Sequence, residues 1–169
     1  MDETLSEKLS KIKLFAMDVD GTLTDSAMFY SEQGEVLKRF STRDGMGITL
    51  LHKFGIKTAI LTSENTEIVS QRAKKLNIED VILGTKSKDE DIKRLGDKYH
   101  LKLDELAYIG DDINDIPVLK IVGFSACPQD ASEFVKNIVD YICNHNGGNG
   151  AVREIAEMIL IAKKINIIL

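Results

Sequence analysis

Two carboxylates stand two residues apart directly after the first apolar run of the chain. Asp18 and Asp20 follow Leu14–Met17 and precede Gly21 and Thr22. A carboxylate can attack phosphorus to form a covalent acyl-phosphate. A second carboxylate can give a proton to the leaving oxygen and later take one from water. We therefore interpret Asp18 as a nucleophile and Asp20 as a general acid and base; the structural alternative is a solvated acidic loop.

Thr62 and Lys88 extend this pattern, because each follows a later apolar run. The Thr62 hydroxyl and nearby backbone N–H groups could bind phosphate oxygens at the start of the helix predicted to follow. The Lys88 ammonium could neutralise the phosphate and the Asp18 carboxylate as a point charge. Each residue also has an ordinary explanation, as a helix N-cap or a surface lysine. Their order along the chain assigns both to the catalytic set.

Three carboxylates lie within the five residues Asp111–Asp115 that follow Gly110. They repel one another unless a cation or a lysine lies among them. Because oxygen ligands select hard cations such as Mg²⁺, we expect Asp111 to bind this metal with Asp18 and the backbone carbonyl of Asp20. The other two carboxylates of the segment are expected to support the site or to orient the lysine. A calcium loop of the EF-hand type is the competing interpretation, but the late Glu of that motif is missing.

Short apolar runs alternate with segments of helical spacing, which predicts an α/β fold with a parallel sheet flanked by helices. The predicted strands are Leu14–Met17, Thr58–Leu61, Val81–Leu83, Ala107–Ile109, Gly123–Ala126 and Tyr141–Ile142. The predicted helices are Met46–Phe54, Glu67–Leu76, Asp89–Tyr99, Val118–Val122 and Ala151–Lys164. Ligands bind beyond the carboxyl ends of such strands, and Asp18, Thr62 and Asp111 all fall there.

Two segments depart from this alternation. Residues 26–41 contain two apolar runs around a Gly-containing turn, which predicts a β-hairpin that projects as a flap beside the acidic loop. The tail Ile165–Leu169 is apolar. It is expected to pack on the core of its own chain or on a neighbouring subunit.

Composition narrows the class of protein. The 169 residues are enough for one domain, which we expect to span residues 1–169. A net charge of −5 argues against a general nucleic-acid binder. Cys127 and Cys143 are isolated and are expected to be reduced thiols, and the three histidines lack zinc-ligand spacing. No secretory signal pattern or long apolar stretch occurs, so we expect a soluble cytoplasmic protein that binds neither membrane nor nucleic acid.

The ordered set of Asp18-x-Asp20-Gly21-Thr22, Thr62, Lys88 and Gly110-Asp111-Asp112 resembles the haloacid dehalogenase (HAD) superfamily over nearly the whole chain. The resemblance implies a Rossmann-like fold and a Mg²⁺-dependent phosphatase that works through an aspartyl-phosphate. The short intervals between these motifs leave room for the hairpin but not for a cap domain. The chain therefore resembles a capless member.

Finer motifs are similar to the 3-deoxy-D-manno-octulosonate 8-phosphate (KDO 8-phosphate) phosphatases. They are Gly34-Glu35-x-x-Lys38-x-Phe40, Arg43-Asp44-Gly45-x-Gly47 and Gly147-Gly148-x-Gly150-Ala151-Val152-Arg153-Glu154. This likeness implies a homotetramer, a role in lipopolysaccharide biosynthesis, and a sugar-acid phosphate as the small-molecule partner. It also implies residues that bind the substrate. Together with those implied by the nine-carbon relatives below, they are Arg43, Gly45, Ser63, Glu64, Arg72, Lys75 and Arg153.

One departure leaves the substrate open. The octulosonate enzymes typically have Gly-Arg after the threonine, whereas this chain has Ser63-Glu64. That pair, with Lys75, is more similar to keto-deoxynononate 9-phosphate phosphatases and to the HAD domains of sialate cytidylyltransferases. The residues Arg43 and Gly45 follow the octulosonate pattern, so the eight-carbon substrate is favoured and the nine-carbon one remains the alternative.

Two other functions compete with this interpretation. A phosphotransferase or a phosphatase of broad specificity would use the same aspartyl-phosphate chemistry. A non-catalytic assembly module, related to the HAD domain of sialate cytidylyltransferases, would be expected to lack part of the catalytic set. Here all of the set is present, namely Asp18, Asp20, Thr62, Lys88 and Asp111.

Overall fold

The computed structural model describes residues 3–166 and has a six-stranded parallel sheet with helices on both faces. The sheet strands are β1 Leu14–Met17, β4 Lys57–Leu61, β5 Asp80–Ile82, β6 Leu106–Ile109, β7 Phe124–Cys127 and β8 Tyr141–Ile142. The helices are α1 Glu3–Lys11, α2 Thr42–Lys53, α3 Glu67–Lys75, α4 Lys88–Tyr99, α5 Ile116–Leu119, α6 Glu133–Lys136 and α7 Ala151–Ala162. The strand order is β5-β4-β1-β6-β7-β8, so β1 lies inside the sheet.

Strand β1 is buried on both faces, as expected of a central parallel strand. Phe15 and Met17 belong to one hydrophobic cluster, which includes side chains of α1, α2, α3 and α7. Leu14 and Ala16 belong to a second cluster with side chains of α4, α5 and α6. The alternation of side chains along the strand thus supplies two cores, which fix β1 and the residues after it between two helical layers.

The strands agree with the sequence prediction to within about one residue at each end, whereas the helices differ more. Helix α5 begins before the predicted segment, because Pro117 is favourable in a first helical turn. Helix α7 ends at Ala162 rather than Lys164. Helices α1 and α6 were not predicted, since α6 has only four residues and α1 buries only Leu9. Both segments offer few apolar positions from which a helical period can be read.

The predicted hairpin is present. It consists of β2 Phe29–Ser31 and β3 Gly34–Leu37, paired antiparallel, and an isolated bridge between Thr24 and Phe40 closes its base. Within residues 3–166, the chain between β1 and β4 holds only this hairpin and α2, so there is no cap domain. The hairpin leaves large apolar side chains in solvent, with Phe29 50% and Leu37 61% exposed.

The C-terminal part of the described chain folds back on its own core. Helix α7 packs against α2, and Ile165 is partly buried against the same hydrophobic cluster. The remainder of the predicted tail, residues 167–169, lies outside the described residues. No helix among the described residues is long and apolar enough to span a membrane.

Candidate active site

The sheet brings the predicted catalytic residues to one edge. Asp18 follows β1, Thr62 follows β4 and Asp111 follows β6 by two residues, and these strands are neighbours in the sheet. The backbone N–H of Asp18 donates to the carbonyl of Ile109 at 3.0 Å, so it extends the ladder between β1 and β6. The three side chains share an open cleft of about 280 Å³. Its lining is Asp18, Asp20, Ser26, Thr62, Ser63, Glu64, Asp111, Asp112 and Asn114.

A buried lysine joins two carboxylates beside this cleft. Lys88 is the first residue of α4, and its Nζ lies 2.5 Å from Asp18 Oδ1 and 2.6 Å from Asp115 Oδ1. Burial lowers the pKa of Lys88, but the two carboxylates outweigh burial and leave its pKa above the ordinary value. Lys88 is therefore an ammonium at neutral pH and fixes one oxygen of Asp18.

Asp115 is the residue that holds this lysine in place. It is completely buried. Its Oδ1 also accepts from the Tyr108 hydroxyl at 2.7 Å, and its Oδ2 accepts from the Asp111 backbone N–H at 3.0 Å. A Cβ atom on Gly110 would lie 2.4 Å from Asp115 Cγ, so only glycine permits this packing. Asp115 is thus one of the two carboxylates predicted to support the site or to orient the lysine, and it contacts Lys88 directly.

The acidic cluster fits a hard divalent cation. Oxygens of Asp18, Asp111 and Asp115 lie within 4.8 Å of one another. Both oxygens of Asp115 already accept hydrogen bonds, so Asp18 and Asp111 are the members with oxygens to offer a metal. Gly21, at φ +81°, allows the Asp111 carboxylate to lie this close to the loop after β1, since a Cβ on residue 21 would lie 2.0 Å from Asp111 Oδ2.

Burial raises the pKa of both candidate ligands. It raises the pKa of Asp18 to about 7, with repulsion from Asp115 adding to the effect and Lys88 opposing it. It raises the pKa of Asp111 to about 8, with repulsion from Asp18 as the next cause. Positive charge between the two carboxylates would favour their ionised forms. The cluster therefore has more negative charge than Lys88 alone compensates.

Asp20 is bound to the hairpin. Its Oδ1 lies 2.5 Å from Lys38 Nζ, and the same ammonium lies 2.7 Å from Glu35 Oε1 in β3. Burial lowers the pKa of Lys38, but its bonds to the two carboxylates outweigh this and raise its pKa above the ordinary value. The sequence motif contains Lys38, but its contact with Asp20 cannot be read from the sequence.

Thr62 lies at the bottom of the cleft, almost completely buried. Its Oγ1 accepts from the backbone N–H of Glu64 at 3.2 Å. The helix predicted to follow Thr62 begins at Glu67, as expected from the sequence, and its N-cap is Thr66. The Thr66 hydroxyl satisfies an N–H of the first turn, so the end of α3 is closed by its own cap. Phosphate binding near Thr62 would use its hydroxyl and the turn that follows.

Of the seven substrate-binding residues expected from the sequence, Ser63 and Glu64 line the cleft. Ser63 Oγ accepts a hydrogen bond at 3.5 Å from Nδ2 of Asn114, which lies in the acidic segment Asp111–Asp115. The residues that line the cleft do not include the other five, which are Arg43, Gly45, Arg72, Lys75 and Arg153. Their roles toward substrate therefore stay predictions.

Four of these five residues lie where α2 meets α3 and α7. Arg72 donates to the Ser41 carbonyl at 2.8 Å, and Gly45 makes room for it, since a Cβ there would lie 2.7 Å from Arg72 Nη2. The guanidinium of Arg153 bonds Glu157 at 2.7 Å through Nε. Arg43 lines a different pocket, of about 370 Å³, beside the loop before α7. These contacts give the motif around α2 a structural explanation.

Three comparisons with known proteins agree with this geometry. Residues 56–155 match the model of the haloacid dehalogenase-like hydrolases. The 3-deoxy-D-manno-octulosonate 8-phosphate phosphatase of Haemophilus influenzae is 38% identical over 94% of this chain and 88% of its own length. The crystal structure of that phosphatase from Yersinia pestis is 34% identical and superposes with a TM-score of 0.95, covering 97% of this chain and 89% of its own. The enzyme from Moraxella catarrhalis, in complex with magnesium, phosphate and KDO, is 39% identical with a TM-score of 0.93, covering 97% of this chain and 94% of its own.

Proposed function

This chain belongs to the haloacid dehalogenase-like hydrolases, and we propose on that basis that it is a Mg²⁺-dependent phosphatase acting on 3-deoxy-D-manno-octulosonate 8-phosphate. The observation that supports this most directly is the buried arrangement of Asp18, Lys88 and Asp115 at the edge of an open cleft. One oxygen of Asp18 is fixed by Lys88, and the other remains for attack on phosphorus.

The proposed reaction has two steps. Asp18 attacks phosphorus, so that a carboxylate oxygen–phosphorus bond forms while the bond to the sugar oxygen breaks. The leaving oxygen takes its proton from Asp20. Water then attacks the acyl-phosphate, gives its proton to Asp20, and releases phosphate and free Asp18.

The other residues of the cleft neutralise and orient the phosphate. Lys88 places positive charge beside Asp18, and the Thr62 hydroxyl can donate to a phosphate oxygen. Asp18, Asp111 and the backbone carbonyl of Asp20 would hold Mg²⁺, which when bound supplies positive charge beside the phosphate. The dense negative charge of the cluster supports this assignment, since a phosphate group could not approach it uncompensated.

The choice of substrate follows the relatives. Proteins that are 35% to 38% identical over most of the chain are octulosonate 8-phosphate phosphatases by name, which supports an eight-carbon keto-deoxy sugar acid. A nine-carbon substrate is the second candidate, and one observation favours it. Ser63 and Glu64, which resemble the nine-carbon enzymes, are the substrate-specificity candidates that line the cleft.

The first experiment is phosphate release from KDO 8-phosphate and keto-deoxynononate 9-phosphate, side by side, with Mg²⁺ and after EDTA treatment. We expect turnover that prefers the eight-carbon ester, stops with EDTA and returns with Mg²⁺. Asp18→Asn should lower the rate of phosphate release by at least about 10³-fold. Asp89→Asn, in α4, should leave that rate unchanged. Preference for nine carbons would transfer the proposal to that substrate. Full activity of Asp18→Asn would remove Asp18 as the nucleophile.

We also propose that the chain forms a single domain and assembles as a homotetramer. The two hydrophobic clusters lie on opposite faces of one sheet, which supports one domain. The exposed apolar side chains of the hairpin support assembly, because patches of this kind commonly mark contacts between proteins.

A further inference from the structure

A buried lysine of the hairpin contacts one of the carboxylates assigned to the reaction. Lys38 follows β3, and its side chain is 0% exposed. Its Nζ lies 2.5 Å from Asp20 Oδ1 and 2.7 Å from Glu35 Oε1. Ion pairs on the surface contribute little and are easily rearranged. Burying an ammonium group costs free energy unless its ionic partners remain close. This pairing therefore holds Lys38, Asp20 and Glu35 in one arrangement.

Lys38 supplies the hydrogen bond that orients the Asp20 carboxylate. The other oxygen of Asp20, Oδ2, is shielded and has no hydrogen-bond partner among residues 3–166. Asp20 lies in the loop between β1 and the hairpin, next to Gly21 in the left-handed region at φ +81°. The hydrogen bond from Lys38 to Oδ1 therefore decides where the carboxylate oxygens of Asp20 point.

We propose that Lys38 is a positioning residue, which orients Asp20 for its proton transfers and couples that step to the placement of the hairpin. This inference rests on the proposed function, because it takes Asp20 as the general acid and base. Proton transfer requires heavy atoms within about 3 Å of each other, and a misplacement of about 1 Å can cost roughly 10²-fold in rate. The contacts run from Glu35 through Lys38 to Asp20, so a displaced hairpin displaces the carboxylate.

The leaving group distinguishes this role from a general structural one. A sugar alkoxide must be protonated as it leaves, whereas p-nitrophenolate leaves as a stable anion and needs little help from an acid. A misoriented Asp20 therefore slows the formation of the acyl-phosphate from a sugar phosphate and affects p-nitrophenyl phosphate much less. The ratio of kcat/KM for the two substrates reports this difference, because kcat/KM describes the steps up to acyl-phosphate formation.

The test compares Lys38→Met and Lys38→Arg with the wild-type chain on KDO 8-phosphate and p-nitrophenyl phosphate, with Mg²⁺. Lys38→Met should lower kcat/KM by roughly 10²-fold for the sugar phosphate and by less than about 10-fold for the aryl phosphate. Lys38→Arg, which keeps the charge, should recover part of the loss. Lys98→Met is the matched control, since Lys98 pairs with Asp80 at 2.6 Å at the opposite end of the sheet. It should leave the ratio unchanged.

An equal loss on both substrates, or no loss on either, would overturn the assignment of Lys38. If Lys38→Met fails to unfold cooperatively, Glu35→Gln decides in its place, because it keeps the ammonium and removes the charge of one of its two partners. Glu35→Gln should show a smaller loss with the same selectivity, and an unselective loss would count against the inference. A wild-type chain inactive on the sugar phosphate would instead refute the proposed function, which is a separate outcome.

Discussion

At the scale of single residues, the candidate site is a group of buried charges that do not balance. Lys88 compensates part of the negative charge of Asp18 and Asp115, and Asp111 adds a further carboxylate nearby. Like charges at this spacing each make ionisation of the others less favourable. This surplus of negative charge is why a divalent cation fits here. Burial raises the pKa of Asp18 and Asp111, and repulsion within the cluster raises it further.

This surplus predicts how stability and Mg²⁺ binding depend on pH. The pKa is raised to about 7 for Asp18 and about 8 for Asp111. The folded, metal-free protein thus binds these protons more tightly than the unfolded chain, and their stabilisation is lost as pH rises from about 4 through about 8. Mg²⁺ binds the ionised forms, so the increase in Tm that it causes should grow from about pH 5 to about pH 8. Thermal unfolding with Mg²⁺ and with EDTA measures this, and a pH-independent increase would contradict the cluster as its site.

The sequence predicted these residues to different degrees, for physical reasons. Asp18, Thr62 and Asp111 could be expected at one edge because each follows an apolar run, and parallel strands end on the same side. Lys38 could not be connected to Asp20 from the sequence, because the two are 18 residues apart and meet only through the fold of the hairpin. Arg72 and Arg153 stay predicted substrate-binding residues; in the structure Arg72 donates to the Ser41 carbonyl, and the Arg153 guanidinium bonds Glu157 within α7.

At the scale of elements, the Gly-rich loop before α7 packs against the acidic loop that follows β1. Gly148 N–H donates to the Thr22 carbonyl at 2.9 Å, and a Cβ on Gly147 would lie 1.9 Å from the Gly21 carbonyl oxygen. Asp44 in α2 accepts from the Gly150 and Arg153 N–H groups at 3.2 and 2.8 Å, which fixes the start of α7. The Gly-rich loop and the motif around α2 therefore position the residues after β1.

This packing predicts that Gly147→Ala impairs catalysis as well as stability. The added methyl must displace backbone, which should cost about 1–3 kcal/mol of unfolding free energy and lower kcat by at least about 10-fold through the displaced acidic loop. Gly55→Ala is the control, because φ +76° makes it strained while nothing lies within 4 Å of its Cβ. It should cost about 1–2 kcal/mol and leave kcat unchanged. Denaturant unfolding and phosphate release measure both; equal kcat values would contradict the role of the loop.

The elements themselves were predictable where burial is continuous. The strands of the sheet are short apolar runs, and burial on both faces requires such runs. Helix α6 escaped prediction because four residues make a single turn. The start of α3 at Glu67 was predicted, but the sequence left open whether Thr62 is an N-cap, and the structure shows that Thr66 makes this bond.

At the scale of the whole molecule, one chain forms the six-stranded sheet and both hydrophobic cores, whereas the hairpin forms a separate two-stranded sheet. The hairpin is a two-stranded sheet with Phe29 and Leu37 at 50% and 61% exposure, and its pairing is irregular between Phe29 and Tyr30. An isolated two-stranded hairpin is marginally stable in water. Its link to Asp20 through Lys38 makes its placement relevant to the reaction.

The proposed assembly would supply the missing support, which sedimentation can test. We expect the wild-type chain to sediment as a tetramer, and the double change Phe29→Glu with Leu37→Glu to shift it to smaller species, because charges in an apolar contact lose solvation without gaining partners. Phe134→Glu is the control, since Phe134 is 71% exposed and belongs to α6 rather than to the hairpin. It should leave the assembly intact. Because the hairpin bears Lys38, the dissociated variant should also lose phosphatase activity at concentrations where the wild type is assembled. A wild-type monomer with full activity would show that the hairpin needs no neighbour to hold Asp20 in place.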